Sequence, residues 1–324
     1  MVDTFQAPLW CANAHLQTLL PTFLNRQFRL PLQHQTLTTP DHDFLDLIWT
    51  ERPQADFNKP IVIIFHGLEG SINSPYAQGM MSALKKAGWI GLLMHFRGCS
   101  GRPNLRARSY HSGETADARF LINWLQQQYP AHPLMAIGYS LGGNMLLNLL
   151  AEPQASGLIA AVSVSAPLRL DLCSARLQQG FSRVYQHHLL SRMKKNLNNK
   201  VSTGALAEFP VPNTAQLTTF HAFDETITAP LHGFASAAEY YQKCSAFDKL
   251  TDINTPCLLI HAKDDPFMTP EVIPRPDQVS ALVELAISKK GGHVGFVQGN
   301  IQRPTFWLEQ TIPTWLSQFS KSTI

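Results

Sequence analysis

Leu134-Met135-Ala136-Ile137-Gly138-Tyr139-Ser140-Leu141-Gly142-Gly143-Asn144-Met145-Leu146-Leu147 joins an apolar run, a Gly-x-Ser-x-Gly pentapeptide and a second apolar run. The first run has the length of a buried strand, and the second, continued to Leu150, suits a helix. Between a strand and a helix this pentapeptide makes a nucleophile elbow. The serine sits on a tight, strained turn with its hydroxyl clear of the sheet edge. Glycine at 138 and 142 leaves room where side chains would strike the adjoining strand and helix. The helix aims its first amide N–H groups, the positive end of its dipole, at charge developing beside Ser140. The stretch predicts a serine-nucleophile enzyme.

Working outward, residues 33–50 read as a hairpin around Pro40-Asp41-His42-Asp43. Ile61 to Phe65, Ile90 to Met94 and Leu158 to Val164 are strand-sized apolar runs, as expected of strands buried on both faces. Helices are predicted from Tyr76 to Ala87, stopped by Gly88, and from Thr115 to Gln128. This alternation means a mainly parallel, doubly covered α/β sheet. It ceases from about Pro167 to Tyr240, where Leu177, Phe181, Val184, Tyr185, Leu189 and Met193 form one apolar face, followed by a polar stretch from Lys194 to Lys200. We read 167–240 as a helical cap inserted into a core of 1–166 and 241–324. Strands Cys257 to His261 and Leu282 to Ile287 follow, then a helix from Phe306 to Phe319 with a break expected at Pro313.

Composition narrows the field. The 324 residues suffice for one large domain, and 44% hydrophobic with 15% charged residues describes a globular chain. A net charge of +3 implies no nucleic-acid partner. Five scattered cysteines form no C-x-x-C pair, which argues against a disulfide framework or a cysteine zinc site. Met1-Val2-Asp3-Thr4-Phe5-Gln6 lacks a basic region leading into an apolar stretch, and no run reaches membrane-spanning length. The expectation is a soluble cytoplasmic protein without membrane insertion. Oligomeric state stays open.

A serine nucleophile needs a base, and the base needs a carboxylate, in chain order Ser, acid, His on this kind of sheet. His293 lies between glycines in Gly291-Gly292-His293-Val294-Gly295, just after a strand. Asp264-Asp265-Pro266 follows the strand ending at His261. Asp265 has the better spacing from Pro270 and is taken as the acid; Asp264, its alternative, reads as a turn or capping residue. An oxyanion hole requires backbone N–H donors. Leu68, in His66-Gly67-Leu68-Glu69-Gly70, supplies one and Leu141 the other, with His66 orienting the loop.

Weaker candidates have plainer explanations. His111 and Asp117 are spaced one residue too long for the His-x4-Asp motif of some acyltransferases, and Asp117 suits a first helical turn. Cys99 reads as a packing residue. His187 and His188 are adjacent and cannot face one metal from a helix, so no metal is assigned. Arg183, Arg192, Lys194 and Lys195 read as a solvated helix face.

The chain also resembles the YheT-like hydrolases of the α/β-hydrolase superfamily, relatives of the eukaryotic ABHD1 and ABHD3 proteins and the yeast ethanol acyltransferases. The resemblance rests on Asn13-Ala14-His15-Leu16-Gln17-Thr18, His66-Gly67-Leu68-Glu69-Gly70, Arg97-Gly98-Cys99-Ser100-Gly101, Tyr110-His111-Ser112-Gly113, Gly138 to Asn144, Asp264-Asp265-Pro266-Phe267 and Gly292-His293. It implies the α/β-hydrolase fold, a triad of Ser140, Asp265 and His293, and hydrolysis of carboxylic esters. Related members act on medium-chain acyl groups. The sequence-level expectation is a cofactor-free carboxylesterase acting on a small acyl ester. Acyl transfer, thioester cleavage and a non-enzymatic scaffold are the alternatives.

Overall fold

A computed structural model describes residues 4–24, 26, 28–54 and 58–320; Met1, Val2 and Asp3, part of the stretch read for a leader, lie outside the described residues. Helix α1 (Ala14–Phe23), which the sequence pattern does not announce, is capped by the Asn13 side chain accepting from the His15 and Leu16 N–H groups. Strands β1 (Gln33–Thr38) and β2 (Phe44–Trp49) form the expected hairpin. There follow β3 (Ile61–Phe65), α2 (Pro75–Lys86), β4 (Ile90–Met94), α3 (Ala116–Gln128), β5 (Leu134–Tyr139), α4 (Leu141–Leu150) and β6 (Ala160–Val164). Gly88 ends α2 with φ 80°, a conformation that favours glycine.

With β7 (Cys257–Ala262) and β8 (Val283–Ser288), these strands build one eight-stranded sheet in the order β1-β2-β4-β3-β5-β6-β7-β8. Only β2 runs antiparallel to its neighbours; β4 through β8 are parallel. The parallel strands are apolar at successive positions because both faces are covered. Ile61, Ile63 and Phe65 share a core with Leu121 and Leu125 of α3, whereas Val62 and Ile64 share one with Met80 and Met81 of α2.

Between β6 and β7 the chain is helical: α5 (Leu170–Arg176), α6 (Ser182–Ser202), α7 (Phe220–Phe223), a π-helical turn (Asp224–Thr228), α8 (Ala229–Leu231) and α9 (Ala237–Cys244). Helix α6 runs through the polar stretch 194–200. Its buried face carries Tyr185, Leu190 and Leu197, packed with Leu177, Phe220, Phe223 and Ile227. The apolar face expected there needs correction. Phe181 and Val184 are exposed: Phe181 precedes α6 and meets the His15 and Tyr185 rings, and Val184 lies off the buried face.

After β8 a second small sheet, β9 (Val297–Asn300) with β10 (Arg303–Phe306), leads into helix α10 (Trp307–Ser320). The break expected at Pro313 does not occur: α10 continues through it. Burial of Ile312, Trp315 and Leu316 on the proline's flanks outweighs the one backbone bond that proline cannot donate. Among the described residues no helix is long and apolar enough to cross a membrane.

Candidate active site

The segments singled out in the sequence converge at the carboxyl ends of the parallel strands, where open α/β sheets bind ligands. Ser140 lies between β5 and α4 with φ 51° and ψ −119°, the strained geometry of an elbow. Its N–H donates to the Val164 carbonyl at 2.8 Å, tying the turn to β6. A Cβ on Gly142 would come within 2.5 Å of the Phe65 and His66 carbonyls, so glycine alone lets α4 pass the end of β3.

Ser140 Oγ lies 3.0 Å from His293 Nε2, and His293 Nδ1 lies 2.8 Å from Asp265 Oδ2. Asp265 is buried, and its other oxygen accepts the Phe267 N–H at 2.9 Å. An acceptor carboxylate on Nδ1 puts the proton there and leaves Nε2 with the lone pair facing the serine. The ring is held flat against Phe267, with centroids 3.9 Å apart and planes 4° apart. The His293 N–H donates to Thr18 Oγ1, and the Val294 N–H donates to Ser165 Oγ. Asp264 sits in the turn after β7, where its carboxylate accepts the Gly292 N–H at 3.0 Å and braces the loop carrying His293.

Gly67 brings the loop after β3 against the elbow; a Cβ there would sit 3.2 Å from Ser140 Cβ. Four residues pin that loop. Gly67 N–H donates to Tyr76 Oη at 2.8 Å, and Glu69 N–H donates to Tyr110 Oη at 2.9 Å. Tyr110 donates in turn to the Glu69 carboxylate, whose other oxygen accepts from Asn196 of α6. His66 accepts the Phe96 N–H through Nε2 at 3.1 Å, so the proton sits on Nδ1, 2.7 Å from the Gly67 carbonyl. Complete burial pushes the His66 pKa down to about 3, leaving a neutral loop-orienting ring. The Leu68 and Leu141 N–H groups have no hydrogen-bond partner among the described residues, and both residues border the cavity at Ser140. Serine, base, carboxylate and two free amides are the parts required for nucleophilic attack on a carbonyl.

Residues 60–300 match the alpha/beta hydrolase fold family. The chain is 49% identical to the Escherichia coli protein named "Putative esterase YheT", over 95% of this chain and 91% of that one. The chain belongs to the α/β-hydrolase family. More distantly, this hydrolase is 23% identical to human "Phospholipase ABHD3" over 96% of its own length and 78% of the relative's. The Pyrococcus furiosus esterase Pf2001 shares the fold, with a TM-score of 0.59 and 18% identity over 99% of this chain and 100% of that one.

The hydrolase's other candidate residues take structural places. Asp117 pairs through both oxygens with Arg97, which also reaches Asp41 and Asp43. All five cysteines are buried, and burial raises the Cys99 thiol well above its ordinary range. His187 and His188 are exposed on α6. His111, Glu114 and His232 offer atoms within 4.8 Å of one another, a cluster the sequence spacing hides. His111 Nδ1, however, accepts the Gly113 N–H, so in the neutral ring Nε2 carries the proton toward Glu114. That tautomer offers a metal no lone pair.

Tyr76, Tyr110, Thr18, Phe267 and Asn196 were not legible as site residues. Thr18, Tyr110 and Phe267 stand inside the motifs that carry the resemblance, but nothing in the sequence says what they touch.

Proposed function

We propose that this α/β-hydrolase is a serine carboxylesterase. The observation that carries the reading is the continuous hydrogen-bonded series from Ser140 Oγ through the His293 ring to Asp265. His293 Nε2 takes the hydroxyl proton as Ser140 Oγ attacks the ester carbonyl. The Leu68 and Leu141 N–H groups hold the resulting oxyanion, each such donor typically worth about 3 kcal/mol. Collapse expels the alcohol, which leaves with the proton from His293. Water, deprotonated by the same imidazole, then attacks the acyl-enzyme, and the acid departs. Asp265 keeps the ring oriented and stabilises the imidazolium throughout. The likeness to a protein named as an esterase supports the same chemistry.

The substrate has two arms of appreciable size in this reading. A cavity of about 510 Å³ and another of about 250 Å³ both border Ser140, His293 and Leu68. Acyl chain and alcohol would each occupy one, which suits short- to medium-chain esters. Residues 167–240 then act as a cap on the core formed by 1–166 and 241–324, with Leu177, Phe220 and Phe223 lining the larger cavity.

Hydrolysis of p-nitrophenyl esters across a C2–C16 series tests the reading, with Ser140→Ala in parallel. Turnover should peak at one chain length and fall at least about 10⁴-fold in the variant. Folded protein that hydrolyses no member and is not labelled at Ser140 by a fluorophosphonate would overturn it.

A further inference from the structure

Ten large hydrophobic side chains stand exposed among the described residues, and six of them occupy three adjoining segments. Leu9 (98% exposed), Leu16 and Phe23 (77%) lie on the N-terminal turn and α1; Phe181 and Val184 flank the start of α6; Ile301 (72%) tips the β9–β10 hairpin. These segments touch. Trp10 Nε1 donates to the Gly299 carbonyl at 3.0 Å, joining the N-terminal turn to the hairpin. His15 Nδ1 lies 3.0 Å from the Tyr185 hydroxyl, and its ring packs on Phe181 at 4.6 Å, joining α1 to α6. Single exposed hydrophobics are ordinary, but a contiguous set calls for an occupant.

Helix α1 has two different sides. Thr18, Pro21 and Thr22 border the smaller cavity at Ser140, so α1 roofs it. Leu16 and Phe23 are seven residues apart, two helical turns, and so share the outward face. The roof of a site read as acting on acyl esters is thus apolar on its outside.

The same region is cationic. Between Asp171 and Glu208 the chain holds no acidic residue but Arg176, Arg183, Arg192, Lys194, Lys195 and Lys200. Lys200 is buried and donates to the Ala107 and Arg108 carbonyls. Arg183 and Lys194 have no ion-pair partner among the described residues, whereas Arg192 and Lys195 border the larger cavity beside Ser140. Exposed apolar side chains beside unpaired cations are the composition of surfaces that settle into the headgroup layer of a bilayer. A second copy of the chain would bring its own cations to the same face, which disfavours self-association there.

We propose that this face docks on an anionic lipid bilayer, with Leu9, Phe23, Phe181 and Ile301 entering the headgroup layer and the unpaired cations meeting lipid phosphates. Docking places the α1 roof against the lipid. It rests on the esterase reading only for what it then delivers, an amphiphilic acyl ester.

Vesicle flotation tests the proposal, using phosphatidylcholine alone and phosphatidylcholine mixed with phosphatidylglycerol. The full chain should bind the mixed vesicles at least about tenfold more tightly, an advantage that salt erodes. The variant Leu9→Ser/Phe23→Ser/Phe181→Ser should bind them at least about tenfold more weakly. Arg183→Gln/Lys194→Gln should flatten the salt dependence. All three altered apolar residues are exposed, so turnover of a soluble short-chain ester should stay at the wild-type level in the triple variant. Equal vesicle binding by wild type and triple variant, or none by either, would overturn docking. So would a wild-type dimer in sedimentation velocity that the triple variant dissolves, which would assign the face to a second copy. Failure of the esterase reading shows separately, as absent soluble turnover with vesicle binding intact.

Discussion

The backbone N–H of His293 donates to Thr18 Oγ1 at 2.9 Å, across 275 positions of sequence. Helix α1 therefore fixes the loop that carries the proposed base. A hydrogen bond of this kind is worth about 1 kcal/mol net. Thr18→Val, which keeps the shape and removes the acceptor, should lower kcat about fivefold with little change in KM. Thr18→Ser should restore it. Steady-state kinetics on a soluble ester read both.

The two aspartates divide the work in a way that separate variants can resolve. Asp265 contacts the His293 ring, whereas Asp264 contacts the Gly292 backbone N–H and the Lys290 ammonium. Asp265→Asn should cost about 10³–10⁴ in kcat by losing the imidazolium's partner. Asp264→Asn retains an acceptor for the Gly292 N–H and should cost less than about tenfold. Comparable losses from both would reject the assignment.

Gly142→Ala tests the packing beneath the elbow. The added methyl meets two carbonyl oxygens at 2.5 Å, and backbone cannot swing aside as a side chain does. The expected loss is about 2–3 kcal/mol of stability. Activity should fall further than stability, since relief of the clash moves the loop bearing Leu68 away from Ser140. Thermal melts beside kcat values show the two effects.

Stability should fall in acid. Burial lowers the pKa values of His66 and His111 to about 3, and those of His232 and His261 to about 4. A folded pKa below the unfolded 6.5 means the unfolded chain binds more protons in that window. This stabilisation is complete above pH 6.5 and drains away as pH falls toward 4. Asp224 acts oppositely: burial raises it to about 6, so its contribution is lost as pH rises. Burial also raises Glu69, Glu114 and Asp264 and lowers His15 and His95. Six histidines thus stand against four carboxylates, and Tm should drop between pH 7 and pH 5. His261 has no hydrogen-bond partner at either ring nitrogen among the described residues. His261→Leu removes both unsatisfied groups and the protonation penalty, a gain of about 2 kcal/mol at pH 5. Its Tm should exceed the wild type's by more at pH 5 than at pH 8.

The parts of the fold that the sequence disclosed are those whose burial is written into the chain itself. Ile61 to Phe65 and Ile90 to Met94 are apolar at every position except Gly91, and Gly88 marks a stop that only its backbone can adopt. Helix α1 stayed hidden because it is short, contains Pro21 and buries chiefly a glutamine, Gln17, whose amide serves Cys11 and Val297. The β9–β10 hairpin is equally silent, being four residues to a strand with a proline and a glycine among them. At the site, Ser140, Asp265 and His293 were legible because each follows a recognisable strand. Tyr76, Tyr110 and Thr18 were not, because each acts on backbone groups of a distant loop through one hydroxyl. Phe181 and Val184 misled because helical spacing alone does not say which side of α6 finds a neighbour.

Glu69 joins two things that are usually separate: who enters the cavity and whether the catalyst is ready. One carboxylate oxygen takes the Tyr110 hydroxyl that holds the Glu69 backbone N–H, and the other takes the Asn196 amide from α6. Any swing of α6 that widens the larger cavity pulls on that carboxylate and slackens the loop beside Leu68. The Asn196 amide thus ties α6 to the loop that carries Leu68 through a single carboxylate.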